Sequence, residues 1–108
     1  MKYKYGEFPK EQIQQVKKRL QNSIFKLLYM KEDGYEELDS YFASLLWKIE
    51  GYNELFGYQE TVLEILAILE RARIEAQKSD YSHHFYRKAI LDATSLVDKI
   101  HENGDYNA

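Results

Sequence analysis

Apolar residues recur along most of this chain at spacings of three and four, the period that gathers them on one side of an α-helix. From Pro9 onward, Ile13, Val16, Leu20, Ile24, Leu27 and Met30 form one such stripe. Proline at the first helical position loses no hydrogen bond, so Pro9 reads as the start and Gly34 as the stop. Leu38, Phe42, Leu45 and Ile49, with Tyr41 and Leu46 at their flanks, predict a second helix from near Tyr35 to a break at Gly51. The third begins between Asn53 and Tyr58, around Gly57, and carries Val62, Ile65, Leu66, Leu69, Ala72 and Ala76 toward Lys78. Ser79, Asp80 and Ser82 offer capping oxygens for a fourth, in which Phe85, Ala89, Ala93, Leu96 and Ile100 repeat until Gly104.

Nothing alternates with period two beyond a few residues, so strands are not expected. Four amphipathic helices with short connections predict an all-α fold, an antiparallel up-down four-helix bundle. The alternative is a three-helix bundle in which helices two and three form one kinked rod through Gly51 and Gly57. Without an internal repeat or a low-complexity linker, residues 1–108 read as a single domain, with 1–8 an N-terminal arm and 105–108 a frayed tail.

Composition narrows the chemistry. The chain has no Cys, which removes disulfides, thiolate metal sites and cysteine nucleophiles. No apolar run is long enough to cross a bilayer and the first residues lack a signal-peptide core, so the reading is a cytoplasmic protein that does not engage membranes. Asp80 with His83 and Asp98 with His101 have ligand-like spacing, but the pairs stand eighteen residues apart, about 27 Å along a helix, too far to share an ion. His83 and His84 are adjacent and diverge. Ser23, Ser40, Ser44, Ser79, Ser82 and Ser95 lie in no nucleophile-elbow context, and the five glycines form no phosphate-binding loop. The expectation is therefore no catalytic residues, no metal and no cofactor.

Three features remain. On the wheel of helix two, Trp47 falls almost opposite the core stripe, among the small residues Ser40, Ala43 and Ser44, as a partner-binding spot would. The competing reading folds Tyr3, Tyr5 and Phe8 of the arm over the indole. Helix three has a second apolar stripe, Leu63, Ala67 and Ile74, which suits a dimer seam. Arg73 falls inside its main apolar face, where it either snorkels from the helix end or pairs with Asp92. The chain also has ten Tyr; several lie at helix ends, where rings pack and hydroxyls stay wet, a disposition common at interfaces. Tyr41 and Tyr86 fit the periphery of the core.

Charge is the sharpest signal. The net charge of -3 hides a division: residues 1–31 carry eight Lys/Arg against two Glu, and residues 32–70 carry ten Asp/Glu against Lys48 alone. Glu32, Asp33, Glu36, Glu37 and Asp39 crowd one interhelix turn. The dipole of helix two accounts for Glu36 and Glu37, and Lys17, Lys18 and Arg19 can face acids of a neighbouring helix. The remaining excess repels nucleic acid and attracts a basic protein surface. The expected function is a small acidic protein-binding module of the immunity or antitoxin type, an inhibitor that covers the basic active site of a toxic enzyme such as a nuclease. Its contact residues are Glu32, Asp33, Tyr35, Glu36, Glu37, Asp39, Tyr41 and Trp47. The alternatives are a homodimeric assembly protein and a metal- or ligand-binding bundle enzyme.

Overall fold

A computed structural model describes Lys2–Tyr3, Gly6–Glu7 and residues 10–100, with side chains from Ile13 onward except Leu55. Four helices run in order: α1 (Lys10–Glu32), α2 (Leu38–Leu55), α3 (Glu60–Ala76) and α4 (His83–Val97). Each packs on the next in sequence and α4 returns to α1, which closes an up-down four-helix bundle. The antiparallel register of α1 and α4 is visible in three cross-helix bonds: Gln21 donates to the carbonyl of Thr94, Lys17 to that of Ile100, and Tyr86 to that of Leu27.

Ahead of α1, Lys2–Tyr3 (β1) and Gly6–Glu7 (β2) pair antiparallel, Lys2 opposite Glu7 and Tyr3 opposite Gly6. This ladder of two residue pairs is too short to leave a period-two signal in the sequence, and the fold is all-α as expected. Pro9, the side chains of Tyr3, Tyr5 and Phe8, Gly104 and the tail 105–108 lie outside the described residues.

The helical stripes form one core. Ile13, Leu20, Ile24, Leu27 and Met30 of α1, Phe42, Leu45 and Ile49 of α2, Val62, Ile65, Leu69 and Ala72 of α3, and Ala93 and Ile100 are all buried. On α4 the expected face is rotated. Tyr86, Ile90 and Val97 point inward while Phe85 is exposed and Ala89 and Leu96 are only partly buried. Tyr86 takes the core position because its hydroxyl has a partner there, the Leu27 carbonyl at 2.7 Å, and its ring meets Phe42 and Tyr81 edge-on. Burial raises the hydroxyl's pKa far above its ordinary value.

Helix ends also depart from the expectation in places. α2 continues through Gly51 and ends at Leu55, so the break belongs to Gly57 alone. Gly34 (φ 71) and Gly57 (φ 84) occupy the left-handed position after α1 and α2. The next amide reaches back in each case, Tyr35 to Met30 at 3.0 Å and Tyr58 to Asn53 at 2.8 Å, so two Gly-Tyr steps close two helices in the same way. Ser82 caps α4 by accepting from the Phe85 amide at 3.1 Å.

Candidate protein-binding site

The carboxylate-rich turn sits between α1 and α2. Asp33, Tyr35, Glu36 and Glu37 are exposed, and among the described residues Glu36 and Glu37 make no side-chain hydrogen bond or ion pair. Glu32 is different, since its carboxylate lies 3.7 Å from the His83 ring at the start of α4. Asp39 departs furthest from the expectation. Its two oxygens accept from Arg73, Nε at 2.7 Å and a terminal nitrogen at 3.1 Å, and one also accepts from the Gln77 amide at 2.5 Å. The guanidinium holds the Asp39 carboxyl below the usual carboxylate range, and Asp39 in turn raises the Arg73 pKa. Arg73 therefore ties α3 to α2, and its anticipated partner Asp92 is bound instead by Lys88 at 2.8 Å.

Tyr41 and Trp47 do not share a surface. Tyr41 is partly buried against α1, donates to the Ser23 carbonyl at 3.1 Å and lies under the Lys26 ammonium. Six residues separate it from Trp47, which at about 100° per residue points them some 120° apart. The indole is 77% exposed, and Ser40, Ala43 and Ser44 around it are exposed as well. Leu63 and Ile74, at 54% and 56%, and Ala67 are likewise exposed on α3.

The basic residues of α1 are disposed unlike the acids. Lys17 is buried, and its ammonium donates to the carbonyls of Ile100 at 2.9 Å and Asp98 at 3.4 Å, just past the C-terminus of α4. Lys31 donates to the Ala76 carbonyl at 2.9 Å, at the C-terminus of α3, and stacks over the Tyr81 ring. Both meet the negative end of a helix dipole and satisfy carbonyls that have no partner within their own helix. The role expected for Lys17, neutralising acids of a neighbouring helix, is thus replaced by capping. Sequence spacing held no sign of this, because Lys17 falls on the apolar stripe of α1 where only tertiary contact reveals its partner.

Asp98 is engaged by Gln21 at 2.9 Å, and His101 lies outside the described residues. Among the described residues no three His, Asp or Glu side chains group closely enough to hold a metal ion, and no helix is long and apolar enough to cross a membrane. No protein-family model, curated protein or solved structure matches the chain.

Proposed function

We propose that the chain is a cytoplasmic protein-binding module that holds a basic protein partner, in the manner of an immunity or antitoxin inhibitor seated over the cationic active site of a toxic enzyme such as a nuclease. The observation that supports this reading most is the Trp47 indole, 77% exposed on the outer side of α2. An exposed Trp ringed by small side chains is a natural anchor for a partner pocket. The carboxylates of Asp33, Glu36 and Glu37 would take the places that substrate phosphates occupy, and their field would speed association. Asp39 is better assigned to the fold, since Arg73 and Gln77 already hold it.

The test is affinity capture from source-cell lysate at low and moderate salt. Wild type is compared with the triple variant Asp33→Lys, Glu36→Lys, Glu37→Lys, which leaves Asp39 intact. A basic enzyme retained by wild type, released by salt, lost by the variant and inhibited by adding the purified chain is the expected result. Equal retention by both proteins, or retention of the chain alone, overturns the reading.

The homodimer reading rests on Leu63, Ala67 and Ile74. A two-fold contact would bring the same surface of each copy together, and with it the exposed Glu60, Glu64 and Glu70 of both copies against one exposed base each, Arg71. Like charges facing across that seam disfavour it.

A further inference from the structure

The outer surfaces of α2 and α3 join into one docking face. Asp39 and Arg73 mark where the two helices touch. Trp47 lies eight residues beyond Asp39, about 80° further round α2, and Ile74 lies one residue beyond Arg73, about 100° further round α3. Each is therefore turned roughly a quarter-circle from the contact line, and their exposures of 77% and 56% show that the turn is outward. The antiparallel register set by the same pair places Trp47 level with the segment of α3 around Ile65, so Leu63 and Ala67 stand across the groove from the indole. Trp47, Leu63, Ala67 and Ile74, assigned by sequence to two separate surfaces, belong to one.

Gly51 lies four residues from Trp47 on the same outward row as Ala43. It is exposed within the body of α2, and a Cβ built there meets nothing within 4 Å. Glycine inside a helix is less favourable than alanine, and no contact within the chain requires it. Such a position is useful when a second backbone must approach closely.

We propose that this face receives a basic amphipathic helix of the partner. Charge selects that occupant: Glu50, Glu60, Glu64 and Glu70 are exposed on α2 and α3 and outnumber the exposed bases of the same two helices, Lys48 and Arg71. These acids repel a second copy of the same face and attract Lys or Arg flanking an apolar stripe. Ala43 and Gly51 let the incoming helix lie close on either side of the indole. The inference rests on the proposal of a basic protein partner and specifies which element of that partner is gripped.

Because the chain has Trp 1, its fluorescence reports on this face alone. The full chain is titrated with a Trp-free helical peptide of Leu and Lys about 18 residues long, about the length of α2 at 1.5 Å per residue. A saturable blue shift is expected, weakened about tenfold between low and moderate salt. It should be lost with a Leu/Glu peptide, in Glu60→Lys, Glu64→Lys, Glu70→Lys, and in Gly51→Leu, all checked for native circular dichroism. It should persist in the Asp33, Glu36, Glu37 triple variant. Peptide binding detected by anisotropy without a change in emission overturns the proposal, as does a shift that survives either the α3 charge reversal or Gly51→Leu. A shift driven by chain concentration alone assigns the face to a second copy and overturns it too. Capture of a basic partner that depends on the α1–α2 turn but not on the α3 acids would overturn this inference and leave the broader reading standing.

Discussion

The two oppositely charged parts of the chain are used in opposite ways. Two lysines of α1, Lys17 and Lys31, each end on the carbonyls that terminate a neighbouring helix, while Lys18 and Arg19 stay exposed. The acids of α2 and α3 mostly turn outward, and the exposed indole stands among them. Both are charge runs of similar density in the sequence. What separates them is the helix terminus: a cation that reaches a C-terminal turn gains a partner and a favourable dipole together, whereas Glu50, Glu60, Glu64 and Glu70 stand exposed. A charge excess therefore points to a binding surface only after the charges absorbed by the fold have been subtracted.

Removing Lys17 tests that subtraction most strongly. Lys17→Met keeps the aliphatic stem in the core and leaves the carbonyls of Asp98 and Ile100 without their donor. Orphaned acceptors cost about 1–3 kcal/mol, to be read as a lower midpoint in urea denaturation. The Trp47 emission of the folded protein should not change. Should the midpoint stay within error of wild type, Lys17 belongs with the solvated charges and the contrast between the two regions fails.

The residues explain how far the sequence could be followed. The α1 stripe was legible because its members are all apolar and recur at helical spacing over the whole helix. Trp47 was legible for the converse reason, a large apolar side chain opposite an unambiguous stripe. On α4 the choice lay between Phe85 and Tyr86, and hydrophobicity alone favours Phe; the structure favours Tyr86, whose hydroxyl finds the Leu27 carbonyl on another helix. Asp39 likewise looked like one of five equivalent carboxylates. Its pairing with Arg73 depends on the relative register of α2 and α3, which local periodicity does not encode. Gly51 read as a break because glycine usually ends a helix, yet α2 passes through it with its neighbours' hydrogen bonds intact.

Gly51 supplies the next prediction. Gly51→Ala adds a methyl into open space on an exposed helical surface, so stability should rise by about 0.5–1 kcal/mol. The same methyl obstructs close backbone approach, so affinity for the basic peptide should fall while the free protein becomes more stable. Opposite signs in denaturation and binding would mark the outer face of α2 as shaped for contact. A gain in stability with unchanged binding would return Gly51 to the category of solvated surface.

The smallest effect is expected at Asp39, the acid that behaves as the α1 lysines do. Its carboxyl titrates below the ordinary range because Arg73 and Gln77 donate to it. A depressed folded-state pKa means stabilisation that is present above the unfolded value, about 4, and lost as pH falls through the folded one. Asp39→Asn removes the charge at every pH. Wild type should therefore be slightly more stable than the variant at neutral pH, and the difference should vanish as the pH is lowered toward 2. The pair is exposed to solvent and screened, so added salt should narrow the gap at neutral pH as well. Basic-peptide binding should be the same in both proteins, because the carboxylate is already occupied within the chain. If Asp39→Asn instead weakened the peptide without changing stability, Asp39 would join the outward acids and the boundary between structural and binding charge would have to be redrawn.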